Sequence, residues 1–238
     1  MNSILNINNP VLQFMGKVFD LLVLNTIWLI CCIPIVTIGP ATTAMYYVAM
    51  KIVKDEYSGI LKPFFHSFKQ NFLQGLVLTV IFIAVAVLLF FDYRFCLLFE
   101  GVAEKIMIGA FIFFGVIYLM IVSYTFPLLS QYTNTIGGTI RNALFLALTK
   151  IGTALEIVLL NLAPVLIPYL FPGTFEWIFP LLIFLAPAFL AFLNSMLFKK
   201  LFADFIKMQT DLAEKEAKEQ AEAEAKAAEA MQDNSAEE

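Results

Sequence analysis

The sequence predicts an all-α fold: a polytopic helical membrane protein with about five transmembrane helices, or six membrane segments if the first is a hairpin. Three observations predict it. Apolar residues gather in blocks of about twenty, long enough to cross a hydrocarbon core of about 30 Å at about 1.5 Å per residue. Hydrophobic residues make up 61% of the 238 and charged residues 14%. Positive charge is concentrated in the stretches between the blocks, the distribution expected of membrane proteins with basic cytoplasmic loops. A soluble domain could not hide this much apolar surface, because globular chains average about 45–50% apolar and about 25% charged.

The blocks are Val18–Ile38, Phe72–Phe91, Ile106–Leu129, Ile151–Leu170 and Trp177–Phe198. In a five-span arrangement nine cations fall on one side: Lys51, Lys54, Lys62, Lys69, Arg141, Lys150, Lys199, Lys200 and Lys207. Lys17, Arg94 and Lys105 fall on the other. That bias predicts a cytoplasmic C-terminus and an external N-terminus. The first sixteen residues hold no Lys or Arg and no small-x-small site follows the first block, so that block is expected to stay in the mature chain.

Span one is interrupted by Pro34, Gly39 and Pro40, and Ala41–Val53 is again apolar but too short to cross alone. Two half-spans forming a hairpin would bring the N-terminus to the cytoplasmic side instead. Spans two and three read as uninterrupted anchors. Between spans one and two, Phe64, Phe65, Phe68 and Phe72 share an arc of about 100° at helical spacing, opposite Lys62, His66, Lys69 and Gln70. Such a helix lies in the bilayer interface, rings toward acyl chains and lysines toward anionic headgroups. Its alternative is a coupling helix that docks a cytoplasmic partner.

Span four carries Glu156, then Asn161, Pro164 and Pro168. Ionisable residues inside a bilayer are costly, and each proline removes a backbone donor and frees a carbonyl. These four residues form a candidate polar path. The other reading of Glu156 is a surface pair with Lys150 or Arg141. Asp20 and Lys17 make an interface pair at i, i+3, while Asn25, Asn194 and Ser195 suit interhelical hydrogen bonds. Span five is expected to kink at Pro180 and Pro187.

From Asp211 onward the chain holds ten acidic residues and three lysines, a net of −7, whereas residues 1–210 are +3. Residues 1–210 therefore form a helical transmembrane domain, and 211–238 an acidic Ala/Glu-rich cytoplasmic tail. The tail is built of strong helix formers with i, i+4 Glu–Lys pairs and is expected to lose order past Met231.

Enzymatic chemistry has no foothold here. No phosphate-binding loop, nucleophile elbow or zinc-protease motif occurs. Three cysteines without C-x-x-C and a single His exclude a protein-built zinc or haem site. No cofactor and no nucleic-acid partner are expected.

The run Ile33-Pro-Ile-Val-Thr-Ile-Gly-Pro-Ala-Thr-Thr-Ala-Met-Tyr-Tyr47 resembles the signature region of the YesL-like family, bacterial membrane proteins with a domain of unknown function. Phe64–Phe72 is similar to its second recurring segment, with His66 where Arg is more usual, and Arg141-Asn-Ala-Leu144 also resembles it. The likeness covers roughly residues 10–205. It implies a multi-pass protein of the bacterial plasma membrane, whose relatives are often encoded near carbohydrate ABC transporters, two-component sensors and glycan-degrading enzymes. No catalytic residues are carried over. The expectation is a non-enzymatic accessory component of carbohydrate transport or sensing, partnered by the lipid bilayer and by ABC transporter or sensor-kinase subunits, with its oligomeric state unspecified. The alternative is a small-molecule transporter that uses the polar path. It would not be a binding-protein-dependent ABC permease, since residues 130–150 lack the Glu-Ala-Ala…Gly loop that seats an ATPase.

Overall fold

The computed structural model describes residues 10–56, 59–171, 173 and 175–236. Eight α-helices follow in order: α1 (Pro10–Cys31), α2 (Ile38–Val53), α3 (Leu61–Gln70), α4 (Phe72–Cys96), α5 (Val102–Gln131), α6 (Ile136–Thr149), α7 (Ile151–Leu170) and α8 (Phe175–Ala236). A short 3-10 turn, Ile35–Thr37, joins the first two, and no strand occurs among the described residues. Among those residues, α4, α5, α7 and the Phe184–Met208 stretch of α8 have the length and apolarity to cross a membrane. The protein is a polytopic helical membrane protein.

The chain divides into two compact units, Met1–Leu197 and Phe198–Glu238. In the second, Phe198 and Phe202 stack at 5.2 Å, one helical turn apart. The helix of this unit continues to Ala236, past Met231 where the sequence predicts a loss of order. Its alanines and glutamates are strong helix formers, whereas Asp233, Asn234 and Ser235 near its end are weak ones.

Span one is a hairpin. Lys17 on α1 pairs with Asp55, just past α2, at 3.2 Å. Eleven residues further along α1, Trp28 Nε1 donates to Thr42 Oγ1 of α2 at 3.2 Å. These contacts align α1 and α2 antiparallel, so residue 17 and residue 55 lie at one end. The single-crossing arrangement gives way to the hairpin. Pro34 and Pro40 cannot donate to a continuing helix, and Thr37 Oγ1 satisfies the carbonyls of Cys31 and Pro34 at the break. Lys54 reaches Gln131 Oε1 at 3.3 Å and Gln74 donates to the Asn134 carbonyl at 3.0 Å. The start of α4 and the end of α5 therefore share the end marked by Lys17 and Asp55, here called the basic end.

The first unit is packed around α2, whose buried residues run from Gly39 to Ile52. Its entry requires glycine. A Cβ on Gly39 would overlap Thr79 Oγ1 and come within 2.5 Å of the Gly75 carbonyl, while one on Gly75 would meet Pro40 N at 2.8 Å. Two backbones thus touch where α2 crosses α4, a close approach that only side-chain-free positions permit. Next to this crossing, Leu78, Phe82, Phe126 and Leu129 form an apolar cluster. Tyr118 adds a bond from its hydroxyl to the Phe82 carbonyl at 2.9 Å.

Packing is uneven along α4 and α5. The buried residues of α5 run from Met120 to Ser130, and those of α4, apart from Cys96, lie between Gly75 and Phe82. Away from the basic end the two helices expose Phe90, Phe91, Phe113 and Phe114, as lipid-facing surfaces do. A groove of about 630 Å³ lies between these outer halves. Span three is also no plain anchor, since α5 carries Pro127 within it.

Candidate functional site

Four helices of the first unit each send one uncharged polar side chain into a common cluster. Tyr46 comes from α2, Ser123 from α5, Asn161 from α7 and Asn194 from α8. Asn194 Nδ2 donates to the Tyr46 hydroxyl at 3.1 Å and to Asn161 Oδ1 at 2.8 Å. Asn161 Nδ2 in turn donates to Ser123 Oγ at 3.2 Å. Asn194 is fully buried and Tyr46 nearly so. Burial of such groups in apolar surroundings costs free energy unless they are paired, and the chain of bonds meets that cost across the helices.

The cluster borders a cavity of about 340 Å³ lined by α1, α2, α5, α7 and α8. Tyr46, Ser123 and Asn161 line it together with Thr42, Trp28 and Phe126. A second cavity of about 290 Å³ shares Asn161, Pro187 and Leu190 with the first and is also lined by Pro164. Neither lining contains an acid, an amine or an imidazole. The chemistry on offer is neutral hydrogen bonding beside aromatic and aliphatic walls. Such a lining can hold and orient a molecule through hydrogen bonds.

Asn25 fixes the wall formed by α8. Its Nδ2 donates to the Phe184 carbonyl at 2.7 Å and its Oδ1 accepts from the Ala188 N–H at 3.0 Å. Those two backbone groups pair with each other in an unbroken helix. One carboxamide thus bridges the turn that holds Pro187, where the proline has already removed a donor. The helix remains continuous through Pro180 and Pro187, as α7 does through Pro164 and Pro168.

The structure places the residues of the polar path differently from one another. Asn161 sits in the cluster and Pro164 lines the adjoining cavity. Pro168 is buried, but it lines neither cavity. Glu156 is exposed on α7 and takes no part in the cluster. At 100° per residue it stands about 140° around the helix from Asn161, whereas Pro164 and Pro168 fall near the Asn161 face. Tyr46 and Ser123 were not singled out by sequence. Tyr46 stood inside the Ile33–Tyr47 run, and Ser123 was a small hydroxyl within an apolar span, the kind of residue that joins membrane helices.

The interfacial helix is α3, and it too departs from the pattern. Pro63, Phe64 and Ser67 are buried, with Phe64 at 0% exposure, and α3 packs along α2. Phe65 is exposed, Phe68 is half-buried and Phe72 opens α4 instead of closing α3. The phenylalanine arc is therefore split, because the helix has a protein neighbour on one flank. The rings still touch: Phe64 lies 5.5 Å from Phe65 and 6.2 Å from Phe68, and Phe68 lies 5.5 Å from Phe72. Lys62, Phe65, His66 and Lys69 remain outward and border a shallow depression.

Comparison with known proteins fits this architecture. The sequence model of the family described as "Protein of unknown function, DUF624" matches residues 21–93, which take in the second half of α1, then α2, α3 and nearly all of α4. The uncharacterised protein YesL of Bacillus subtilis (strain 168) is 26% identical over 154 residues, 63% of this chain and 72% of the relative. No solved structure matches the chain. Within the class of polytopic helical membrane proteins, then, this chain is similar to the YesL-like family, by the DUF624 match over residues 21–93 and the 26% identity to YesL.

Proposed function

We propose that this protein is a non-enzymatic accessory component of carbohydrate transport or sensing in the bacterial plasma membrane, with its C-terminus in the cytoplasm. The observation that supports this reading is the outward face of α3. Two lysines, an imidazole and a phenylalanine ring are presented together on a helix whose inner flank is held by the buried Phe64. A rigid basic and aromatic face of this kind suits docking to an acidic cytoplasmic partner. The carbohydrate context rests on the neighbourhoods implied by the family resemblance. ABC transporter and sensor-kinase subunits are the partners it names.

The test is a photo-crosslinker placed at Phe65 or His66 in native membranes, followed by recovery in mild detergent. A transporter or kinase subunit is expected in the crosslinked band. Repeated recovery of the protein joined to lipid alone would overturn the reading. A second reading, a transporter in its own right, is favoured by the uncharged cluster and its two adjoining cavities among proline-bearing helices.

A further inference from the structure

We propose that the cavity beside Tyr46, Ser123 and Asn161 is a binding site for a small, neutral, hydroxyl-bearing solute. The inference deepens the second reading by naming a ligand class for its cavity, and it holds whether the solute then crosses the membrane or is only sensed. Size comes first. About 340 Å³ stands at the small end of ligand pockets, which span about 300–1,000 Å³, and suits a molecule of about a dozen non-hydrogen atoms.

Charge comes second. The lining holds hydroxyls and a carboxamide but no ionisable acid, amine or imidazole. An ion entering there would lose its hydration without gaining a counter-charge, which is costly in an apolar setting. A neutral solute meets no such penalty. Its hydroxyls would find Thr42, Tyr46, Ser123 and Asn161, while Trp28 and Phe126 offer apolar surface to its carbon skeleton.

A second observation concerns the residues behind the lining, since neither Asn194 nor Ser195 lines the cavity itself. Asn194 Oδ1 and Ser195 Oγ are buried, at 0% residue exposure, and have no hydrogen-bond partner. Asn194 is bonded to two residues that line the cavity, Tyr46 and Asn161. Turning its amide over does not cure the mismatch. Oδ1 would then face Tyr46 and Asn161, and the two donors of Nδ2 would be the unmatched groups. The cluster thus has unspent hydrogen-bonding capacity where a native interior ordinarily has none.

The test uses the full chain in lipid nanodiscs. Equilibrium dialysis with labelled glucose and labelled glycerol measures binding, and a matched titration with gluconate supplies a charged solute of similar size. The chain has two tryptophans, so Trp177→Phe leaves Trp28 as the sole indole and locates the site by its emission. Saturable binding of a neutral probe near the millimolar range is expected, with a change in Trp28 emission. Asn161→Leu should weaken it at least tenfold and gluconate should not compete. Asn161→Ser, which keeps a hydrogen-bonding group, should fall between. Binding should not vary between about pH 5.5 and pH 8.5, because no carboxylate, imidazole or amine lines the site.

No saturable binding of either neutral probe, equal binding by Asn161→Leu, or effective competition by gluconate would each overturn the proposal. The accessory reading is judged separately. A crosslinked partner recovered from a protein that binds no solute leaves that reading standing and removes this one, and the reverse result does the opposite.

Discussion

Asn25 shows how much one side chain can do in a helix that contains a proline. Its carboxamide supplies both a donor and an acceptor, matched to the Phe184 carbonyl and the Ala188 N–H. A hydrophobic replacement of similar size loses both at once. Single interhelical hydrogen bonds in membranes average about 0.6 kcal/mol and reach about 1.7 kcal/mol, so Asn25→Leu is expected to destabilise the protein by about 1–2 kcal/mol. The measurement is unfolding in bicelles or nanodiscs, and an unchanged midpoint would show that the bridge does not support α8.

The same residue marks a limit of what could be read locally. An asparagine inside an apolar block announces a hydrogen bond across helices; Asn25 and Asn194 make such bonds, as does Asn161 of the polar path, whereas Ser195 Oγ finds no partner. Which partner each would find was not legible. The partners of Asn25 are backbone groups about 160 positions away, and no local pattern encodes that distance. Glu156 is the opposite case. Its apparent membership of a polar path came from closeness in sequence to Asn161, whereas helical geometry separates the two faces by about 140°. A wheel drawn on α7 alone contained that signal.

At the scale of elements, the long helices α4, α5 and α7 were plain from their apolar blocks, but α2 was not. Its 16 residues read as the tail of one crossing, with the return arm of a hairpin as the alternative. The choice rests on Lys17 meeting Asp55 and Trp28 meeting Thr42. The ion pair itself contributes little, since its side chains are 47% and 80% exposed and surface pairs are worth about 0–1 kcal/mol. It is informative as geometry. Cysteines placed at positions 17 and 55, with the three native cysteines replaced, are expected to join through a short bifunctional thiol reagent. A mobility shift on denaturing gels reports the link, and absence of any link would return α1 and α2 to a single broken crossing.

For the whole molecule, the hairpin changes the charge distribution. In the count by sequence, Lys17 moves to the side of the nine cations, making ten, with Arg94 and Lys105 on the other. The positive-inside bias therefore strengthens from nine against three to ten against two. Reporters fused to the two termini should both signal from the cytoplasm. An N-terminal reporter active only on the outside would sink this topology, whatever the C-terminal one shows.

The packed core sits at that same basic end, and the outer halves of α4 and α5 stand largely against lipid. At about 1.5 Å per residue, the 30 residues of α5 span about 45 Å and the 20 of α7 about 30 Å. A hydrocarbon slab about 30 Å thick fits α7 upright. The α5 segment from Ile106 to Gln131 is still about 39 Å long, and fits only by leaning about 40° or by pushing its end into the headgroups. Thinner lipids increase that lean and thicker ones relieve it. Ser123 rides on this helix, so the slope of α5, and with it the shape of the site, becomes a property shared between the protein and the depth of its membrane.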